Sequence, residues 1–160
     1  MQFVFNHTTF DPSNPMGQAV LAVSVIGPVS IPQEEAAYPQ VATTDGKQIN
    51  AMHDYVIRMT KDELPAAGAF WSLTLYDLEN GFYIPNDRKK YSVGENAGMK
   101  LNEDGGTETY IAAEKPEGVP EENWLPIEGK NLNLSPQMRV YAPDLKKMKS
   151  WTPPGAERVN

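Results

Sequence analysis

The sequence predicts a mainly β domain, an antiparallel β-sandwich of jelly-roll-like kind with one short N-terminal helix. Three observations predict it. Several short strand-like segments follow one another at close spacing, with turn residues between them. The fourteen prolines and twelve glycines are spread along the 160 residues, as many turns require. Two stretches, residues 53–60 and 70–77, alternate with period two.

In chain order, residues 1–16 form an N-terminal arm with a short strand at 2–6. Asn14 as cap and Pro15 at the first helical position start a helix over residues 17–26, which Gly27 and Pro28 end. The β-branched Val20, Val23, Val25 and Ile26 leave a buried strand over 19–26 as the rival reading. Residues 30–48 read as loop, with Ala37 and Tyr38 touching a sheet. His53, Tyr55, Ile57 and Met59 then alternate with Asp54, Val56, Arg58 and Thr60, as in a strand with one wetter face. The run 70–77 is dense enough for a central strand covered on both sides. Asn80-Gly81 marks a hairpin turn before a return strand at 82–84. An extended segment is expected at 91–93. Asp104-Gly105-Gly106 turns between 99–101 and 107–113. Residues 114–122 are a Pro-rich acidic loop. Two short strands follow at 131–134 and 137–142, then a helical turn within 143–149. The tail from Trp151 is stiffened by Pro153-Pro154.

The length fits a single domain over 1–160, large enough to bury a core. The net charge of -7 argues against nucleic acid and against an anionic membrane surface, because both need a basic footprint. The clusters 88–90 and 146–149 are too short to supply one and read as solvated loop charge. Without cysteine there is no disulfide, thiolate metal site or thiol nucleophile, and the compartment stays open. The first basic residue is Lys47, so no secretory leader is expected in the chain as given, and the apolar run 19–26 is too short to span a bilayer.

The segment Phe70-Trp71-Ser72-Leu73-Thr74-Leu75-Tyr76-Asp77 resembles the signature of the domain of unknown function 1214, DUF1214. Further motifs agree in order: Glu35-Ala36-Ala37-Tyr38, Asp45-Gly46, Asn86 and Arg88 before Tyr91-Ser92, Asp104-Gly105-Gly106, and Asn123-Trp124-Leu125-Pro126. Arg139-Val140-Tyr141 with Pro143, and Trp151 before Pro153-Pro154, complete them. The resemblance covers residues 17–159. It implies a β-sandwich that often follows a second domain of unknown function, numbered 1254, and it implies no established reaction. That companion is absent from the sequence. The chain is therefore expected to be a stand-alone form, a cut piece or half of a split pair. The turn reads Asp-Gly-Gly where the family has Asp-Gly-Ser.

No catalytic set is legible. His53-Asp54-Tyr55 with Arg58 is chemically suggestive, but adjacent strand residues face opposite ways, so Asp54 cannot orient His53. His7 and His53 lack metal-ligand spacing. A calcium-loop frame around 102–105 puts Lys100 and Ile111 where oxygen donors belong. There is neither a Gly-x-Ser-x-Gly elbow nor a phosphate-binding Gly-rich loop, so no cofactor and no metal is expected. Trp71 reads as core. Trp124, beside Asn123 in a loop, is the better ligand candidate, and Arg88, Asp104 and Arg139 are the polar motif residues that would join it. Arg139 alternates with Met138 and Val140, so it is expected half-buried and paired with a carboxylate. The leading reading is a non-catalytic module that packs against a companion DUF1254-like domain or a second copy. The alternatives are a small-ligand or carbohydrate module built on Trp124 and an enzyme of unrecognised type.

Overall fold

The dense run at 70–77 lies at the centre of its sheet. In the computed structural model, which describes residues 32–159, it is strand β3 (Trp71–Asp77), with all but Asp77 buried. Its neighbours are β7 (Leu134–Tyr141), paired antiparallel along seven positions, and β4 (Ser92–Gly94). With β1 (Ala36–Ala37) on the far side of β7, the first sheet has the order β1-β7-β3-β4.

The second sheet has the order β6-β5-β2-β8. Its members are β2 (Tyr55–Met59), β5 (Thr107–Ala112), β6 (Trp124–Pro126) and β8 (Ala156–Arg158). All pairs are antiparallel except β5 with β6, which run parallel because the acidic loop carries the chain back before β6 begins. Two four-stranded sheets give the expected β-sandwich. The helix expected over 17–26, its strand rival, the 2–6 strand and the 1–16 arm all fall outside the described residues.

Period-two alternation builds the interior. Trp71, Leu73 and Leu75 of β3 and Leu134, Met138 and Val140 of β7 join Tyr55, Ile57 and Met59 of β2 and Ile111 of β5 in one cluster. Each fully buried aliphatic side chain contributes about 1.5–3 kcal/mol. The inward face of β5 is less apolar. It carries Thr107 and Thr109, opposite Met59 and Ile57, and the Thr109 hydroxyl has no hydrogen-bond partner among the described residues.

Five expectations about elements need correction. In place of two strands at 131–134 and 137–142 there is one, Leu134–Tyr141, because Pro136 does not break it. Its carbonyl accepts from Val41 N–H, and the N and O of a strand residue share a side. The missing donor therefore points away from β3. The 82–84 return is a single bridge, Tyr76 to Tyr83, closed by Asp77 N–H on the Phe82 carbonyl. The 99–101 side of the Asp104 turn is not a strand. Residues 156–158 and 124–126, read as tail and loop, are β8 and β6. The helical turn appears as α1 (Leu145–Met148), where the Asp144 carboxylate accepts from Lys146 and Lys147 N–H.

Candidate functional site

The face of the β3–β7 pair turned away from the core is polar, yet largely buried. Ser72, Thr74 and Tyr76 lie opposite Arg139, Gln137 and Ser135. Gln137 Nε2 donates to the carbonyls of Tyr38 (2.7 Å) and Pro39 (3.3 Å), which fastens the segment after β1 onto this face. Gln40 Nε2 donates to Ser135 Oγ at 3.2 Å.

Arg139 is half-buried at the centre. Its Nη1 donates to Thr74 Oγ1 at 2.7 Å and its Nη2 to the Tyr76 hydroxyl. The guanidinium carbon sits 5.5 Å from the centroid of the Tyr76 ring, within cation–π range. Among the described residues the expected carboxylate partner is not there. None of the ion pairs among the described residues involves Arg139. The register explains why, since the positions within reach across the pair are Ser72 and Thr74, both hydroxyls. The one acid of β3, Asp77, accepts instead from Glu79 N–H at 2.8 Å and from Asn80. Arg58 in the second sheet shows the contrast. It is bracketed by Glu108 at 3.0 Å and Glu157 at 2.6 Å.

The Tyr76 ring that the guanidinium meets begins an aromatic stack. Tyr76 stacks on Tyr83, and Tyr83 on Tyr91, each pair with centroids 5.2 Å apart. Phe70 packs on Tyr141 at 4.5 Å. Burial pushes the Tyr76 phenol above its ordinary value, with the Arg139 bond working against it. Burial also pushes up Tyr38, reinforced by Tyr141 and opposed by Arg139. These phenols stay protonated near neutral pH. Among the described residues the face therefore carries the Arg139 charge, which tyrosine hydroxyls do not neutralise. At its edge the hairpin exposes Phe82 (74%), Tyr83 (50%) and Leu78 (45%).

The family model for a protein of unknown function, DUF1214, matches residues 34–145. The chain belongs to this family. No curated protein matches it. Among solved structures, the VPA0106 protein from Vibrio parahaemolyticus aligns with a TM-score of 0.72 and 26% identity, over 86% of this chain and 34% of that one. The DUF1214 chain thus spans about a third of that protein's length. An uncharacterised protein from Burkholderia cenocepacia aligns at TM-score 0.43 and 11% identity, over 94% of this chain and 44% of that chain.

The DUF1214 match takes in β1 to β7, and with them the whole Arg139 face. The other residues singled out in the sequence lie elsewhere. Arg88, Asn123 and Trp124 come together: the Arg88 guanidinium lies 4.8 Å from the Trp124 ring centroid and 3.4 Å from Glu121. Trp124 is 3% exposed and donates its indole N–H to the Ala112 carbonyl at 2.9 Å, so its ring is packed rather than offered to a groove. Asn123 accepts from Lys100 N–H at 2.8 Å and donates to the Lys100 and Glu108 carbonyls, both at 2.9 Å. Asp104 accepts from Gly106 N–H at 2.8 Å and shapes the turn. Asn123 and Asp104 brace the turn that leads into β5, and Trp124 bonds the far end of that strand at Ala112. Tyr83, Tyr91 and Phe82 were missed. The Asn80-Gly81 turn, which folds Tyr83 back over Tyr76, was the available signal.

Among the described residues no three His, Asp or Glu side chains gather as a metal site requires, and no helix is long and apolar enough to cross a membrane.

Proposed function

We propose that this DUF1214 domain is a non-catalytic packing module whose Arg139 face docks onto a companion domain, of the kind numbered 1254, through a carboxylate on that partner. The observation that carries the reading is the half-buried guanidinium that has hydroxyl partners and no acid among the described residues. A sequestered charge is costly unless paired, and a bidentate carboxylate is its natural complement. Arginine and tyrosine are also the residues that dominate interface energetics, and an exposed aromatic hairpin borders the pair here. The 34% share of the VPA0106 chain supports a larger setting for the fold.

The test is light scattering on the full chain, alone and mixed with a DUF1254 domain. A one-to-one complex is expected, weakened at least about tenfold, or roughly 1.4 kcal/mol, by Arg139→Gln and by Phe82→Ser. Self-association sensitive to the same substitutions would make a second copy the occupant. A chain that stays monomeric and ignores the companion would sink the proposal.

A further inference from the structure

A second feature lies away from the Arg139 face, where residues 48–51 run beside 131–134. A cleft of about 370 Å³ opens there, with Gln48, Asn50, His53, Asn131 and Asn133 among its lining. That volume falls within the range of small-molecule sites.

Asn50 organises the walls. Its backbone bridges Asn133, and its N–H donates to the Tyr55 hydroxyl at 3.1 Å. Its side-chain oxygen accepts from Met52 N–H at 3.0 Å. Its Nδ2 donates to both Asn131 Oδ1 (2.9 Å) and Asn133 Oδ1 (3.1 Å). Asn50 is thereby used up, and the other two amides are turned so that their oxygens face Asn50. The NH₂ groups of Asn131 and Asn133 make no hydrogen bond among the described residues. Gln48 is arranged the opposite way. Its Nε2 donates to the Leu134 and Ile49 carbonyls at 2.8 and 3.2 Å, which leaves its oxygen as an acceptor. His53 adds a ring nitrogen of either kind.

Charge on the rim is already committed. Lys47 binds Asp45 at 3.0 Å and, chiefly through that hydrogen bond, holds the Asp45 carboxyl down at about 2. Arg158 is not free either. What remains is a set of neutral donors and acceptors on a fixed frame. Hydroxyl groups, each a donor and an acceptor, are its complement. Met52, 54% exposed, adds an apolar contact for a ring face.

We infer that this cleft binds a neutral polyhydroxylated ligand, a sugar, with the Asn131 and Asn133 amides as donors and Gln48 and His53 as acceptors.

The test is an NMR titration of the ¹⁵N-labelled full chain with glucose, N-acetylglucosamine and maltose, with glucuronate as the charged control. Saturable shifts of the Asn131 and Asn133 side-chain amides and of the His53 ring are expected for at least one neutral sugar. The substitutions Asn131→Asp and Asn133→Asp keep the oxygens that Asn50 binds and remove the outward donors. Each should weaken binding at least tenfold, with the urea midpoint unchanged. Non-saturating shifts with all three sugars, a response to glucuronate alone, or undiminished binding in the two variants would overturn the inference.

Discussion

Thr109→Val should stabilise the protein. Thr109 is 1% exposed, points into the sandwich opposite Ile57, and its hydroxyl has no partner among the described residues. A hydroxyl buried without a hydrogen bond costs about 1–3 kcal/mol in protein data. Valine keeps the branched shape and the strand preference while removing that cost. The expected gain is about 1–2 kcal/mol, or roughly 3–6 °C in Tm for a chain of this size. Thr107, two positions along on the same face, supplies the control. It accepts from Asn123 Nδ2 at 3.5 Å and donates to the Lys100 carbonyl at 3.4 Å, so Thr107→Val should lower stability. Urea and thermal unfolding of the full chain measure both. A loss of 1 kcal/mol or more in Thr109→Val would refute the reasoning, because it would mean that the hydroxyl is satisfied by a buried water.

Three further outcomes are expected. Gly94→Ala places a Cβ 2.4 Å from the Trp71 carbonyl oxygen and 2.7 Å from the Ser72 Cα, both backbone, so unfolding experiments should show a loss of about 1–3 kcal/mol or more. Asn123→Ala strips the Lys100 amide and the Lys100 and Glu108 carbonyls of their partner and should cost about 2 kcal/mol, with faster amide exchange across residues 100–108. Acid should destabilise the fold. Asp45 is held at about 2, chiefly by Lys47, while Asp77 and Glu63 are lowered chiefly by bonds from the Asn80 side chain and the Thr60 backbone. A depressed carboxyl stabilises the folded state above its unfolded value near about 4 and loses that contribution as pH falls through the folded value. The urea midpoint should be level near neutrality and fall between about pH 4 and 2, with the Asp45 NMR inflection near 2; an inflection near 4 would contradict this.

How much of the fold could be read in advance depended on where the pairing energy comes from. Strands β2 and β3 were legible because large apolar residues alternate with polar ones over a whole strand length. Ala156-Glu157-Arg158 carries no such signal. It is a strand because β2 has an edge to fill and Arg58 reaches across to Glu157. Trp124 was misplaced for a similar reason. Its neighbours read as loop, but parallel pairing with β5 makes it a strand residue, and its indole is buried against the Arg88 guanidinium with its N–H on the Ala112 carbonyl. Pro136 divided β7 on paper, whereas its donor-free side faces the segment after β1. For the site, alternation was enough to place Arg139 half-buried. Its partners were not legible, because Thr74 and Tyr76 lie more than sixty residues away and depend on a register that only the folded sheet sets.

Hydroxyl-radical footprinting, read by mass spectrometry on the free and partner-bound chain, asks most directly which surface is covered. Phe82, Tyr83, Tyr91 and Tyr141 should lose reactivity on binding, while Met52 and Tyr110 keep theirs. Protection at Tyr110 and its neighbours in the second sheet, with the Arg139 side still fully reactive, would contradict the account.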